Sequence, residues 1–267
     1  MTRRKSGPKQ RRKPSTSGRQ QAAVKRTAAR MRARPKRTPT TAAGHTLATI
    51  PGRANGKHFP IVGIGASAGG LEAFVQLLEH LKPDTGMGFV YVQHLDRHHD
   101  SMLTALLAKS AGMPVHEARD GMPVQPNHIY VISPNTSLGI SAGKLTVTAR
   151  GDVAEPNMSV DHFLRALAHD CGNQAIGVIL SGTASDGTHG LRAIKQEGGL
   201  TFAQSPDSAK HDGMPRSAIA SGCVDFVQMP TQIAGELRRS LTLAQEARDY
   251  AQAIVEFMQE PLLALGG

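Results

Sequence analysis

From residue 59 onward, short apolar runs alternate with longer segments whose apolar residues recur at helical spacing. The apolar runs predict buried strands at 59–65, 88–93, 128–133, 144–149, 175–181, 199–204 and 223–228, the third and fourth of which flank a turn. The longer segments predict helices at 69–81, 101–110, 160–171, 189–197 and 215–220, and a last one from about 231 onward. Strands that alternate with helices favour a parallel sheet covered on both faces. The pattern therefore predicts one α/β domain with a mainly parallel, doubly wound, Rossmann-like sheet and helices on both faces.

The first 57 residues lack this periodicity. Residues 1–60 hold 17 of the chain's 31 Lys and Arg and no Asp or Glu, which leaves 14 basic and 21 acidic side chains in the rest. Such a segment cannot bury enough apolar surface to offset the entropy of ordering it. We therefore predict a disordered basic tail over 1–57. Its charge suits an anionic partner such as nucleic acid or a membrane surface, and a solvated tail without a specific partner is the alternative.

The structured body is predicted to span 58–242, followed by a C-terminal helical extension over 243–267. No run approaches the roughly 18 consecutive apolar residues that a membrane span requires. The basic N-terminus lacks the apolar segment of a secretory signal. Two cysteines, Cys171 and Cys223, make neither a disulfide framework nor a zinc site. These features predict a cytoplasmic protein without a transmembrane segment, and they leave its oligomeric state open.

A loop rich in small residues follows the first predicted strand, with the sequence GIGASAGG (63–70). Ligands of open α/β sheets bind at the carboxyl ends of the strands. Small residues on both sides of Ser67 permit a sharp turn into the next helix, which raises the hydroxyl above the sheet and places helix N–H groups beside it. That arrangement suits an oxyanion hole, and it follows the logic of a nucleophile elbow with a different spacing.

The competing interpretation of this loop is a phosphate-binding site. Gly63, Gly65 and Gly69 come close to a dinucleotide fingerprint. A dinucleotide site would also require an acidic residue at the end of the second strand, to hold the ribose hydroxyls. The second strand ends in Gln93 and His94 instead, so the sequence favours the nucleophile.

His94 directly follows the second predicted strand. From there it can reach a hydroxyl at the neighbouring strand end, take the proton from Ser67 and return it to a leaving group. A purely structural histidine is the alternative. The segment also holds potential metal ligands, namely His94, Asp96, His98, His99 and Asp100. Because most of these fall in a predicted loop and no matching ligand group is evident elsewhere, no metal site is predicted.

The segment SGTASDGTHG (181–190) follows the fifth predicted strand and carries Asp186. This residue is either a cap of the following helix or the acceptor of the Nδ1–H of His94, which fixes the tautomer and stabilises the imidazolium. HDGMPRSAI (211–219) follows the next strand. Its position predicts a pocket wall in which Met214 and Arg216 contact substrate. The alternative is a loop that only connects the strand to the next helix.

Four motifs, GIGASAGG, VQHL, VILSGTASDGTHG and DGMPRSAI, occur in this order and spacing. Together they resemble the catalytic domain of CheB-type protein-glutamate methylesterases over about residues 59–242. The resemblance implies hydrolysis of glutamate methyl esters on chemoreceptor-like signalling proteins, with release of methanol, and deamidation of some glutamines. It also implies that neither a cofactor nor a metal is used.

The resemblance also implies a role for individual residues. It places the catalytic triad at Ser67, His94 and Asp186, and the oxyanion donors at the backbone N–H groups of Ala68 and Thr183. The partner is then a methylated chemoreceptor or another signalling protein. The alternative is a non-catalytic or partner-activated signalling module that keeps the methylesterase fold.

The sequence departs from the family pattern in three places. Residues 1–57 are too short and too basic for the N-terminal receiver domain that family members typically carry, so we expect constitutive or partner-based control. Ala68 stands where chemotaxis members often have threonine. The segment LAQEARDYAQAIVEFMQ (243–259) matches nothing in the family pattern.

Overall fold

A computed structural model describes residues 59–94, 102–150 and 158–259 of the chain. The predicted basic tail over 1–57 lies outside these ranges. So do positions 96–100, which carry the other candidate metal ligands, and the last residues of the predicted C-terminal extension.

Nine strands form within the described ranges: β1 (Ile61–Ala66), β2 (Gly88–Gln93), β3 (Val115–Glu117), β4 (Ile129–Val131), β5 (Thr136–Ser141), β6 (Lys144–Ala149), β7 (Ala175–Ile179), β8 (Leu200–Gln204) and β9 (Phe226–Gln228). Seven of them form one sheet in the order β3-β4-β2-β1-β7-β8-β9. Every neighbouring pair in that sheet is parallel. The remaining two, β5 and β6, pair with each other as an antiparallel hairpin.

The helices of the described ranges are α1 (Gly70–Glu79), α2 (Leu103–Ser110), α3 (Ser159–Cys171), α4 (Thr188–Gln196), α5 (Gly213–Ala220) and α6 (Pro230–Gln259). Two apolar clusters separate them into layers. Phe74, Leu107 and Leu237 belong to the cluster that joins α1, α2 and α6 to one face of the sheet. Leu164 and Leu191, from α3 and α4, belong to the cluster on the other face. Helices thus cover both faces, which confirms the predicted α/β fold.

Glycines inside β1 let α3 approach the sheet closely. A Cβ atom added at Gly63 would lie 2.6 Å from a methyl carbon of Leu164, and one added at Gly65 would overlap Val160. Both glycines lie within the strand rather than in the turn after it. Close helix packing therefore accounts for two of the three glycines that resemble a dinucleotide fingerprint.

The hairpin differs from the prediction. Residues 144–149 form a strand as predicted, but its partner is β5, which the sequence pattern did not identify, and β4 belongs to the main sheet. Positive φ angles at Ala142 (51°) and Gly143 (71°) make the tight connection between β5 and β6, as two-residue hairpin loops require. The three-residue strand β3 was also missed, because so short a segment carries little periodicity.

The predicted boundary between residues 242 and 243 falls inside α6, which continues across it. Burial changes along the helix: Ile233 and Leu237 are fully buried, whereas Leu243 and Tyr250 are 59% and 72% exposed. The separate C-terminal extension therefore stays a prediction. None of the helices in the described ranges combines the length and the apolar character needed to cross a membrane.

Candidate active site

The candidate site lies where the winding of the sheet changes direction. From β1 the sheet continues through β2 on one side and through β7 on the other, and such a switch point leaves a crevice at the carboxyl ends of the strands. Ser67 follows β1 and His94 follows β2. Because Ala66 is in register with Gln93, the two residues leave neighbouring strands side by side, and the His94 N–H donates to the Ala66 carbonyl at 3.4 Å.

Backbone contacts hold Ser67 in a sharp turn. Its N–H donates to the Ser181 carbonyl at 3.0 Å, and its carbonyl accepts the Gly70 N–H at 2.9 Å, where α1 begins. Gly69 has a φ of 73°, a conformation that glycine adopts without steric cost. The Ser67 hydroxyl makes no hydrogen bond to any described residue, so it is available to a base and a substrate.

Polar side chains behind the turn fix the Ser67 carbonyl. The Tyr91 hydroxyl donates to Gln93 Oε1 at 2.9 Å, and Gln93 Nε2 donates to the Ser67 carbonyl at 3.4 Å. Tyr91 stacks on Phe74 with ring centroids 4.4 Å apart. Burial raises the pKa of Tyr91, which keeps its hydroxyl a donor. Sequence reasoning missed this support, although Gln93 lies within the VQHL motif.

The Asp186 carboxylate joins His94 to helix α3. Its Oδ2 lies 2.7 Å from His94 Nε2 and accepts the Val160 N–H at 2.9 Å, while its Oδ1 accepts the Asp161 N–H at 2.8 Å. Asp186 is only 2% exposed. Helix N–H groups and the positive end of the helix dipole stabilise a carboxylate in this position. Asp186 is therefore both a helix cap and the partner of the histidine, and the helix that it caps is α3 rather than the predicted α4.

The histidine contact uses a different ring nitrogen from the one expected. The sequence predicted that Asp186 accepts the Nδ1–H, whereas Nε2 faces the carboxylate. The N–H groups of Val160 and Asp161 hold the carboxylate at the start of α3, and the ring meets it there through Nε2. When Nε2 donates to Asp186, Nδ1 is the nitrogen left to accept a proton.

Two backbone N–H groups flank Ser67 without acceptors. Neither the Ala68 N–H nor the Thr183 N–H makes a hydrogen bond to a described residue, and both residues are exposed. The two loops touch at Gly182, where an added Cβ would lie 3.0 Å from the Cβ of Ser67. Unpaired donors beside a nucleophile suit an oxyanion, and this role, which the resemblance implies for Ala68 and Thr183, stays a prediction.

The two predicted substrate contacts lie in different environments. Met214 is fully buried, and a Cβ at Gly182 would overlap its sulfur, so it supports the loop that carries Thr183. Arg216 is exposed, and its Nε donates to Asp212 Oδ2 at 2.5 Å. This pairing raises the pKa of the Arg216 guanidinium and lowers that of the Asp212 carboxyl. Substrate contact by either predicted residue stays a prediction.

Ser181 joins three loops of the site, and sequence reasoning missed it. Its buried hydroxyl donates to the Ala68 carbonyl at 2.8 Å and accepts the His211 N–H at 3.0 Å. The His211 carbonyl also lies 3.2 Å away, but a hydroxyl has one proton to donate, and the nearer carbonyl takes it. The available signal was a serine placed directly after the β7 run.

We expect Ser181→Ala to lower turnover about 10- to 100-fold, because small displacements of catalytic groups cost this much. It should also destabilise the protein by about 1 kcal/mol, since the Ala68 carbonyl and the His211 N–H lose their hydrogen-bond partner. Steady-state kinetics and thermal unfolding measure the two effects.

The matched control is Thr201→Val. Thr201 is likewise fully buried and donates to the Cys223 carbonyl at 2.6 Å, but it lies at the amino end of β8, away from the site. Equal kinetic losses in the two variants would mean that Ser181 acts through stability alone.

No three His, Cys, Asp or Glu side chains in the described ranges lie close enough together to hold a metal ion. His94 is engaged with Asp186, and positions 96–100 lie outside those ranges. The described part of the chain thus offers no support for the metal interpretation.

A family model and a solved structure both match this chain. The family model described as CheB methylesterase matches residues 62–237. The catalytic domain of the CheB methylesterase of Thermotoga maritima is 29% identical, with a TM-score of 0.62 over 68% of this chain and 98% of that domain.

Two curated relatives are named protein-glutamate methylesterase/protein-glutamine glutaminase. The one from Pseudomonas putida is 34% identical over 180 residues, which is 66% of this chain and 53% of the relative. The one from Caulobacter vibrioides is 38% identical over 169 residues, 62% of this chain and 49% of the relative. The chain spans about half the length of these relatives. Because the family model covers well over half of the chain, this protein belongs to the CheB methylesterase family.

Proposed function

We propose that this chain hydrolyses the methyl esters of glutamate side chains on a methylated chemoreceptor or a related signalling protein. The observation that carries the proposal is the 2.7 Å contact between His94 and Asp186 beside the Ser67 turn. The names of the curated relatives support the choice of ester. With this substrate, the enzyme works in the cytoplasm.

In the first half of the reaction, the Ser67 oxygen attacks the ester carbonyl carbon as its proton passes to His94. Asp186 stabilises the imidazolium that results. The carbonyl oxygen gains the negative charge and is held by the N–H groups of Ala68 and Thr183. The C–O bond to the methoxy group then breaks, and the methoxy oxygen takes the proton from His94 and leaves as methanol.

In the second half, water replaces methanol. His94 removes a proton from the water while the water oxygen attacks the acyl carbon, and the same two N–H groups hold the second oxyanion. Collapse breaks the bond to the Ser67 oxygen, which regains its proton from His94. The products are a glutamate side chain and the unchanged enzyme.

The same steps convert a glutamine side chain, with ammonia in place of methanol as the leaving group. His94 would then protonate the departing nitrogen. We include this protein-glutamine glutaminase activity in the proposal because the names of the relatives carry it. Arg216 and Met214 are proposed substrate-side residues, Arg216 by direct contact and Met214 through the loop that it supports.

The test is methanol release from a receptor signalling fragment that has been methylated on its glutamates with a labelled methyl group. We expect release by the purified full chain and none by Ser67→Ala. Release that continues in the Ser67 variant would contradict the proposed nucleophile. A wild-type chain that releases no methanol from any methylated fragment, alone or with a signalling partner, would favour a binding module that keeps the fold.

A further inference from the structure

Asp161 is a buried carboxyl in the first turn of α3 that none of the reaction steps uses. It is 3% exposed. Its backbone N–H donates to Asp186 Oδ1 at 2.8 Å, and its side-chain Oδ1 accepts the Gly190 N–H at 2.7 Å. Asp161 is thus hydrogen-bonded both to the Asp186 carboxylate and to α4, the helix that follows Asp186.

These contacts make a reciprocal pair of helix caps. Asp186 precedes α4 but caps α3, whereas Asp161 belongs to α3 but caps α4. Helix α4 has no side-chain cap of its own, since its N-cap residue is Gly187. The helices also touch directly, because a Cβ added at Gly190 would overlap Leu164. The first turn of α3 is therefore fixed by the carboxylate that precedes α4, and the first turn of α4 is fixed by a carboxyl of α3.

We propose that Asp161 is a positioning residue of the triad, which fixes the start of α4 and thereby the direction in which Asp186 faces His94. The loop that carries Asp186 ends where α4 begins, so a displaced first turn of α4 displaces the carboxylate. This inference rests on the proposed function only for its kinetic consequence, since the His94–Asp186 contact can be observed without substrate.

The chemistry of the carboxyl separates this role from a purely electrostatic one. Burial raises the pKa of Asp161, and the charge of Asp186 raises it further, whereas the Gly190 N–H, His189 and Arg165 lower it. Its Oδ2 has no hydrogen-bond partner among the residues that the structure describes. The cap needs only the Oδ1 acceptor, which the amide of asparagine also supplies. Asparagine therefore keeps the cap and removes the charge, whereas alanine removes both.

The experiment compares Asp161→Ala with Asp161→Asn in the full chain. We expect kcat to fall about 10- to 100-fold in the alanine variant with KM nearly unchanged, as for other sub-ångström displacements of catalytic groups, and to stay within about threefold of wild type in the asparagine variant. A suitable control is Asn127→Ala. Its Oδ1 accepts the Gly86 N–H at 2.6 Å just before β2, at the opposite edge of the sheet, so its loss should cost stability without lowering kcat.

A second measurement does not need turnover. The ring N–H proton of His94 in its bond to Asp186, assigned by its absence in His94→Gln, should give the same NMR resonance in wild type and Asp161→Asn. Asp161→Ala should shift or abolish it. If that variant fails to fold, Asp161→Val takes its place with the same expected losses, because valine also lacks an acceptor but fills more of the buried space.

An unchanged His94 resonance and unchanged kcat in the folded alanine variant would overturn the inference. So would equal losses in the alanine and asparagine variants, which would assign the effect to charge. If the wild type itself shows no Ser67-dependent turnover, the proposed function fails, and the NMR comparison alone decides whether Asp161 positions Asp186.

Discussion

Ser67→Ala is expected to reduce methyl ester hydrolysis by about 10³- to 10⁶-fold, because removal of a triad nucleophile costs several powers of ten in rate. The residual rate should come from the Ala68 and Thr183 N–H groups, which still stabilise a tetrahedral oxyanion formed by water. Methanol release under single-turnover conditions measures the wild-type rate and the residual rate of the variant.

The same substitution should leave stability unchanged. The Ser67 hydroxyl makes no hydrogen bond to a described residue, so its loss leaves no buried partner unsatisfied. A suitable control is Ser221→Ala, which removes a hydroxyl that donates to the Ala218 carbonyl at 2.6 Å near the end of α5. That variant should keep wild-type turnover. Near wild-type turnover in Ser67→Ala would assign the chemistry to another residue.

The sequence pattern was sufficient for the elements that build the centre of the sheet. The runs at 88–93 and 175–181 predicted β2 and β7 to within two residues, because strands buried on both faces read as continuous apolar segments. Since parallel strands all end at one edge of the sheet, the positions of Ser67 and His94 followed from the same pattern.

The pattern could not supply contacts that form only when helices cross. Asp186 caps α3, a helix that begins 27 residues earlier at Ser159, and no local spacing signals such a cap. The approach of His94 through Nε2 has the same origin, because it depends on where α3 places the carboxylate. The hairpin partner β5 was missed for a different reason, namely that its sequence TSLGIS has only two large apolar residues among serines, a threonine and a glycine, and so shows no apolar run.

Asp186 connects the chemistry of the site to the stability of the fold. A carboxylate held by two helix N–H groups cannot turn away from His94 without leaving those donors unsatisfied. The sequence offered cap and triad member as alternatives for this residue. The structure shows it capping α3 while it contacts His94, and its part in a triad stays a prediction. Removing the charge while keeping the shape is therefore the most informative change at this position.

Asp186→Asn is expected to lower kcat by up to about 10⁴-fold, the cost of the equivalent change in another triad. The carboxylate has only acceptors, whereas the amide has one acceptor and one donor group. If the amide NH₂ takes the Oδ2 position, it opposes the Val160 N–H and holds His94 with its proton on Nδ1, where it cannot accept one from Ser67. If the NH₂ takes the Oδ1 position, it opposes the Asp161 N–H, and the imidazolium loses its counter-charge.

Both orientations place a donor against a buried donor, so the variant should also lose about 1–3 kcal/mol of unfolding free energy. Asp170→Asn is the matched control, because Asp170 likewise accepts two backbone N–H groups, from Ala142 at 2.6 Å and Gly143 at 2.9 Å, but at the hairpin. It should show wild-type turnover and a smaller stability loss, because its partner Ala142 is exposed to water. A folded Asp186→Asn protein that hydrolyses the ester within tenfold of the wild-type rate would show that the carboxylate serves α3 alone, and that His94 acts as the base without a charged partner.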